Sequence, residues 1–373
     1  MLVVFNLILA GSTFIYIVYT IFIFTGLLKI RTKKHFLAPT STLPTVSVVV
    51  AARNEEANLP DLLSDLSKQN YPEKKLEIII ADDRSDDRTW AILKEFEGKM
   101  TTLTPVKIRE KSIVMTPKKY ALSTAIGASS GSIILSTDAD CRLTTTWVSS
   151  MVASIQLTKT GISAGYSCIR KDASGFNNRY QRLDFLALMA ANAGATCWGF
   201  TWSGSGQNLA YTRNDFEAIN GFKPVADRLS GDDVYLIQSI GKISGITYNG
   251  DPGSFVETMP VPTIMNFLSQ RIRWASNARY LPGSDWFFLG FLINVFILNA
   301  GLLIGLFLPD YWNILPAVFS LKFLADALVC FTGSDKFKTP VHPADFIVWS
   351  VIQPIYIPFL GLSGLIGRFT WKQ

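Results

Sequence analysis

The chain has 373 residues, of which 49% are hydrophobic and 17% are charged, and its formal net charge is +6. A mean hydropathy of +0.26 is too high for an ordinary water-soluble protein of this size. The basic residues concentrate beside apolar segments rather than among interleaved aromatic residues. This charge pattern favours anionic lipid headgroups as partners and disfavours nucleic acid.

The first apolar segment, residues 1–28, has no charged side chain and is too long for the apolar centre of a cleavable signal peptide. It predicts a transmembrane anchor within residues 1–30, because a helix of this length crosses a hydrocarbon core of about 30 Å. Basic residues follow with no acid nearby, so the positive-inside rule places residue 29 onward in the cytoplasm. These basic residues are Lys29, Arg31, Lys33 and Lys34.

Residues 45–260 alternate apolar strands with amphipathic helices, which indicates one α/β domain. The run Val46–Ala52 predicts a buried strand, residues 58–69 a helix, and residues 76–81 a second strand, which together form a parallel βαβ unit. Further strands are predicted at 106–109 and 132–137, and further helices at 120–128 and 145–156. The ligand crevice of such a domain lies at the carboxyl ends of its strands.

Cysteine and histidine usage excludes two kinds of site. The four cysteines show neither metal-ligand spacing nor a disulfide framework, which is consistent with a reducing compartment. His35 and His342 lie outside the predicted α/β domain, which argues against a histidine-ligated zinc centre there.

Asp138 and Asp140 follow the strand predicted at 132–137, at the crevice end of the sheet. Two carboxylates at such a corner can hold a divalent cation and, through it, a diphosphate. Oxygen ligands without histidine favour Mg²⁺ or Mn²⁺. A solvated turn is the alternative, because Asp-x-Asp also occurs by chance.

Two other polar clusters stand at the crevice. Asp82 and Asp83 follow the second strand and can accept a hydrogen bond from a base N–H or a ribose hydroxyl, although a turn is the alternative. Lys118 and Lys119 precede the helix predicted at 120–128, where contact with a phosphate and a solvated pair are equally open.

Asp232 and Asp233 form a second acidic pair at the start of a helical segment. Sugar transfer with inversion needs a carboxylate to take the proton of the attacking hydroxyl, and Asp233 is the candidate base. Helix N-capping is the alternative, and Asp232 is suited to it.

Residues 261–284 predict an amphipathic helix beside the membrane. Its arginines can bind a diphosphate, and its indole can stack on a sugar ring, although arginine and tryptophan also occur there as interface anchors. The residues concerned are Gln270, Arg271, Arg273 and Trp274.

Three more transmembrane segments are predicted within residues 286–367. The middle one, residues 311–331, contains Lys322 and Asp326, one helical turn apart; a helix-packing ion pair is favoured there over a role in an acceptor path. The last segment leaves its topology open, because a fourth crossing would put C-terminal basic residues outside, and its prolines allow a broken or re-entrant helix. These residues are Pro354, Pro358, Arg368 and Lys372.

These motifs, in this order, resemble those of the family 2 glycosyltransferases. The resemblance covers residues 45–280 and includes Gly204–Asn208 and Asn220–Phe222, which look like the family's acceptor-side wall. It rests on the strand followed by Arg53-Asn54-Glu55-Glu56, on Asp82-Asp83, on Asp138-Ala139-Asp140, on Gly231-Asp232-Asp233 and on Gln270-x-x-Arg273-Trp274.

The resemblance implies the GT-A fold, a Rossmann-like nucleotide-sugar domain, here with transmembrane helices. It implies that Asp82 or Asp83 contacts the uracil, that Asp138 and Asp140 hold metal and diphosphate, and that Asp233 is the base. The implied donor-binding set is Ala52, Arg53, Asn54, Glu55, Asp82, Asp83, Lys118, Asp138 and Asp140, and the implied acceptor and diphosphate set is Asp232, Gln270, Arg271, Arg273 and Trp274.

The sequence therefore predicts an inverting glycosyltransferase with a UDP-sugar donor, a divalent metal and a lipid-linked, glycan or membrane-proximal acceptor, its catalytic domain on the cytoplasmic side of an inner or plasma membrane. A processive polysaccharide synthase is the alternative within enzymes, although the chain has few helices to line a polymer channel. The alternative that is not an enzyme is an inactive membrane scaffold that binds a nucleotide-sugar. The presence of Asp140 and Asp233 disfavours this alternative.

Overall fold

A computed structural model describes residues 2–31, 42–170, 172, 174–281 and 285–366. The basic residues at 33, 34, 368 and 372 and the histidine at 35, on which some predictions rest, lie outside the described residues. The chain divides into two compact units, here called the sheet unit and the helical unit. The sheet unit comprises Ile30–Arg170 and Gly199–Met259, and the helical unit comprises Met1–Lys29, Lys171–Trp198 and Pro260–Gln373.

The sheet unit alternates strands and helices, numbered here in chain order through the whole protein. Its strands are β1 Val46–Ala52, β2 Leu76–Asp83, β3 Leu103–Ile108, β4 Ile133–Ser136, β5 Cys141–Leu143, β6 Ile162–Gly165, β7 Ser167–Ile169, β8 Leu209–Thr212, β9 Ile246–Asn249 and β10 Val256–Thr258. Its helices are α2 Leu59–Leu66, α3 Thr89–Glu97, α4 Pro117–Gly127, α5 Trp147–Thr158, α7 Arg213–Ala218 and α8 Asp232–Ser244.

The main sheet has seven strands in the order β3-β2-β1-β4-β8-β6-β9. β1 pairs in parallel with both β2 and β4, so the carboxyl ends of these three strands meet at one edge. β8 is antiparallel to β4 and to β6, which makes the sheet mixed, and a smaller sheet has the order β5-β10-β7. Apolar residues cover both faces of the sheet, as the continuous apolar strands require.

Most predicted elements are present with shifted ends. β1 has the predicted bounds, but β2 extends two residues further, so Asp82 and Asp83 end the strand instead of following it. Residues 176–196, for which no element was predicted, form a long helix. This helix falls inside the predicted domain range 45–260 yet belongs to the helical unit.

The helical unit consists of α1 Leu2–Leu28, α6 Phe176–Thr196, α9 Ile264–Ala275, α10 Trp286–Gly305, α11 Leu315–Phe337 and α12 Pro343–Ile366. Among the described residues, α1, α10, α11 and α12 are long and apolar enough to cross a membrane. The third of these helices is displaced from the predicted range 311–331. Lys322 Nζ donates to Asp326 Oδ2 at 2.6 Å with both side chains buried, which confirms the predicted ion pair.

Contacts along α1 fix the directions of α10 and α11. Tyr19 near the end of α1 donates to the carbonyl of Phe287 at the start of α10, while Asn294 further along α10 donates to the carbonyl of Ser12. α10 is therefore antiparallel to α1. The hydroxyl of Tyr16 donates to Asp326, and Phe5 contacts Tyr311 just before α11, so α11 is parallel to α1.

α1 and α6 cross with their backbones in contact. A Cβ added at Gly26 would lie 2.0 Å from the carbonyl oxygen of Gly194, and one added at Gly194 would lie 2.4 Å from the carbonyl oxygen of Ile23. Small residues are typical of such close helix crossings in membranes. Beside the crossing, the ammonium of Lys29 lies 3.0 Å from the ring centroid of Trp198, a cation–π contact at the end of α1.

Candidate functional site

The loops that follow β1 and β2 are bonded to each other. The backbone N–H of Asn54 donates to Ser85 Oγ at 2.9 Å, and the N–H of Asp86 donates back to Asn54 Oδ1 at 2.9 Å. Glu55 N–H donates to Thr89 Oγ1 at 2.8 Å. Asn54, with φ of 54°, adopts the left-handed conformation that asparagine tolerates better than most residues. The paired loops form a fixed wall beside the strand ends.

Asp82 and Asp83 differ in their partners although they are adjacent. Asp83 forms a two-pronged ion pair with Arg84 at 2.8 and 2.9 Å, so both of its oxygens are bonded. Asp82 is fully buried and pairs in register with Ala52; its Oδ1 accepts from Ser85 N–H at 3.2 Å. Its Oδ2 has no hydrogen-bond partner among the described residues. A buried acceptor without a partner is costly, so Asp82 is the better candidate to receive a base N–H.

The two adjacent lysines, Lys118 and Lys119, have different hydrogen-bond partners. Lys118 Nζ donates to Asp138 Oδ1 at 2.7 Å. Burial lowers the pKa of Lys118, but attraction to Asp138 and Asp232 outweighs it and raises the pKa above its ordinary value, so this side chain stays cationic. Lys119 is buried and donates to the backbone carbonyl of Arg228. Lys118 is therefore the lysine available to a phosphate.

The surroundings of Asp140 carry more negative than positive charge. Burial and the nearby carboxylates of Asp138 and Glu55 raise its pKa to about 6, and Lys118 offsets this only in part. The hydroxyl of Thr258, at 3.4 Å, is a weak donor to Asp140 Oδ2. A divalent cation would relieve this repulsion, so the carboxylates fit the predicted Mg²⁺ or Mn²⁺.

Within the described residues, no group of three or more histidine, cysteine or acidic side chains could hold a metal ion. Asp138 and Asp140 would thus be the protein ligands, with diphosphate oxygens and water completing the coordination shell. This sharing is usual for Mg²⁺ in phosphate chemistry.

Asp233 lies in the first turn of α8, after Gly231, whose φ of 84° needs a glycine. Its Oδ1 accepts from the N–H of Val234 at 2.8 Å, and its Oδ2 accepts from the N–H of Gly206 at 3.2 Å. Burial and then the charge of Asp232 raise its pKa to about 6, despite the lowering effect of Val234, Lys118 and Gly206. Gly231 occupies the N-cap position of α8, so Asp233 is not the cap residue, and its role as the base stays a prediction.

The segment Gly204–Asn208 divides into a site part and a framework part. Gly206 contacts Asp233, as the hydrogen bond above shows. Asn208 is buried, accepts from the indole of Trp147 at 2.9 Å and donates to the carbonyl of Tyr166, so it holds the core together. The sequence analysis did not identify Thr258 as a site residue, and a lone threonine in a short strand carries no pattern that could have revealed it.

The predicted acceptor residues on α9 belong to the helical unit, whereas the carboxylates above belong to the sheet unit. Arg271 is only 6% exposed and donates from Nε to Asp184 Oδ2 at 2.7 Å and from Nη1 to Gln270 Oε1 at 2.8 Å. Its guanidinium carbon is 4.2 Å from the ring centroid of Trp274. These contacts favour a structural role for Arg271 over the predicted binding of a diphosphate.

The chain is similar in sequence to known glycosyltransferases. Residues 47–219 match the family model described as Glycosyl transferase family 2. Over 64% of its length the chain is 27% identical to the probable glycosyltransferase YdaM of Bacillus subtilis, and the match spans about half, 56%, of that relative. Over 90% of its length it is 26% identical to a beta-monoglucosyldiacylglycerol synthase of Synechocystis, covering 71% of that protein.

A solved structure has the same fold. The mannosyltransferase PcManGT from Pyrobaculum calidifontis, in complex with GDP-Man and Mn²⁺, matches with a TM-score of 0.58 and 19% identity, covering 98% of each chain. This likeness confirms the predicted GT-A fold class.

Proposed function

Because the chain belongs to the family 2 glycosyltransferases, we propose that it transfers a sugar from a UDP-sugar to a hydroxyl of a lipid-linked or membrane-proximal acceptor, with inversion at the anomeric carbon. One observation carries the proposal. Acidic side chains with incomplete pairing converge where β1, β2 and β4 end. Lys118 is bonded to Asp138 and interacts electrostatically with Asp233.

In the proposed reaction the donor binds along this edge. Asp82 accepts a hydrogen bond from the base, and Lys118 turns from Asp138 toward a phosphate oxygen. Asp138 and Asp140 would hold the divalent metal, which when bound supplies charge stabilisation to the departing diphosphate. Asp138, Asp140 and Lys118 thus orient the diphosphate for departure.

Asp233 takes the proton of the acceptor hydroxyl while the oxygen of that hydroxyl forms a bond to the anomeric carbon. The bond from that carbon to the phosphate oxygen breaks, and its electron pair leaves with UDP. A carboxylate with a pKa of about 6 is mostly ionised at neutral pH yet basic enough to accept a proton in the transition state.

The acceptor class rests on two supports. The Synechocystis relative is named a beta-monoglucosyldiacylglycerol synthase, and a diacylglycerol would reach the protein through the bilayer. Four candidate membrane helices and the basic residues Lys29 and Arg31 after the first of them support membrane association with a cytoplasmic catalytic domain.

The test incubates membranes that contain the full chain with UDP-sugars and GDP-sugars, diacylglycerol, and Mg²⁺ or Mn²⁺, and identifies products by mass. A lipid that gains one hexose or N-acetylhexosamine from a UDP-sugar is expected. A ladder of products would favour the processive synthase. Donor binding without any product, in all combinations, would favour the inactive scaffold.

A further inference from the structure

The two ends of α12 lie at the same side of the helical bundle. α11 ends at Phe337 on the side where α10 begins, because α10 and α11 run in opposite directions beside α1. α12 begins at Pro343, a few residues later, on that same side. Its other end meets the turn Ser276–Tyr280, which ends six residues before Trp286 at the start of α10: Arg279 Nη2 donates to the carbonyl of Gly364 at 2.6 Å.

Chain length excludes a crossing by α12. Had α12 crossed, Gly364 and Arg279 would be near the far surface, about 30 Å from the point where α10 begins. Only the residues from Tyr280 to Asp285 connect Arg279 to α10 at Trp286, and that many residues span at most about 25 Å when fully extended.

Charged side chains accompany α12 along its length. Arg179 donates to Asp345 in the first turn of α12 at 2.9 Å. Asp184 accepts from the indole of Trp349 at 3.4 Å and from the hydroxyl of Tyr356 at 3.5 Å. Together with Arg279 at the last turn, these contacts would place charge at every depth of a spanning helix, which is expensive in hydrocarbon.

A second face of α12 is an apolar stripe. Five exposed side chains repeat at three- and four-residue spacing, the period of one helix face. They are Ile347, Val351, Ile355, Phe359 and Leu362. A helix with charged partners on one side and a continuous apolar stripe on the other has the character of an interfacial helix.

We infer that α12 does not cross the membrane and instead lies along the bilayer surface at which α10 begins, with its stripe in the boundary between lipid headgroups and acyl chains. The occupant of the exposed stripe is then the leaflet itself. α1, α10 and α11 remain as three crossings, and α12 ends at Ile366 on the side where α1 ends. This arrangement removes the conflict with the positive-inside rule that four crossings create.

The topology is tested with the full chain carrying an epitope after Gln373, in a background where Cys197 is replaced by serine. Two cysteine variants mark the sides: Asp335→Cys at the end of α11 and Asp310→Cys between α10 and α11. Sealed inverted vesicles and intact cells receive a membrane-impermeant maleimide and a protease. The epitope should be accessible wherever Asp335→Cys is labelled. Accessibility with Asp310→Cys instead would overturn the inference.

A depth measurement gives an independent test that does not rely on the C-terminus. Spin labels at Ile347→Cys, Ile355→Cys and Leu362→Cys, in the same background, report collision with oxygen and with a polar nickel reagent in reconstituted vesicles. An interfacial helix gives three similar shallow depths of about 5–10 Å. A spanning helix would place Ile355→Cys about 12 Å deeper than Ile347→Cys, at a rise of 1.5 Å per residue, and that gradient would refute the inference.

Discussion

The strand-end carboxylates of the sheet unit and the Asp184 cluster of the helical unit both bury charge, but they differ in how fully that charge is partnered. Asp184 accepts a charge-assisted bond from Arg271 at 2.7 Å and weaker ones from Trp349 and Tyr356 at 3.4 and 3.5 Å, so its charge is paired with a cation. Asp140 receives two weak donors, the hydroxyl of Thr258 at 3.4 Å and the thiol of Cys141 at 3.7 Å, and has like charges beside it. A fully partnered carboxylate holds helices together, whereas an under-partnered one is available to a ligand.

The largest effect is expected at the under-partnered carboxylate. Asp140→Ala should abolish detectable transfer and remove the metal dependence of donor binding, because the diphosphate charge then lacks a held cation. Titration of UDP-sugar binding with and without Mn²⁺ and turnover assays measure this. Glu217→Gln, an exposed change of charge in the same unit, is the matched control. Metal-dependent turnover in the Ala variant would refute the assignment.

Removal of the partner of Asp184 should reduce the stability of the protein rather than its activity. Arg271→Ala leaves Asp184 buried without its cation and should lower the free energy of unfolding by about 3–5 kcal/mol, as for other broken buried ion pairs. Thermal or denaturant unfolding in detergent measures it. The double variant Asp184→Leu with Arg271→Met should recover most of the loss. Normal stability with weakened UDP binding would restore the diphosphate role instead.

Asp233→Asn tests the base at nearly constant shape. Transfer should fall by at least about 10²-fold, the usual scale for losing a general base, while donor affinity stays within a few fold. Single-turnover rates and equilibrium donor binding separate the two quantities. An equal fall in donor affinity and in rate would indicate that Asp233 organises the donor site.

The pH dependence of transfer should follow the same carboxyl. Asp233 acts as the base when ionised, and its pKa is raised from the usual acidic range to about 6. Hence kcat/KM should be flat above that pH and fall about tenfold per pH unit below it. A profile that stays flat down to pH 4.5 would mean that another group takes the proton.

Trp274 should give the smallest change. Stacking of an indole contributes about 0.5–1.5 kcal/mol, so Trp274→Ala should cut transfer up to about tenfold with membrane association and UDP binding unchanged. Trp274→Tyr should remain impaired if the indole contacts the acceptor. Full activity in the Tyr variant, or release of the Ala variant from membranes with normal specific activity, would support an anchoring role.

Features that depend on a local pattern of apolar and polar residues could be predicted from the sequence. β1 was predicted with its correct ends, because a short β-branched apolar run flanked by polar residues favours a buried strand. Asp138 and Asp140 were predicted to follow a strand, and they do follow β4, while their metal-binding role stays a prediction. α6 was missed, since its polar residues, such as the buried Gln181 and the half-buried Asp184, find partners only in the folded chain. The ion pair of Arg271 with Asp184 joins residues 87 positions apart, which periodicity does not reveal.

The contact between Gly26 and Gly194 means that α1 cannot be exchanged for an unrelated transmembrane helix. Because the two backbones touch, α1 is a structural part of the helical unit and not an interchangeable tether. A chimera that replaces it with a generic polyleucine segment would force side chains into that contact and separate the helices. Deletion of the residues before 30 would expose the surface of α6 that contacts α1. A soluble catalytic fragment would therefore need polar substitutions on that surface as well as the deletion.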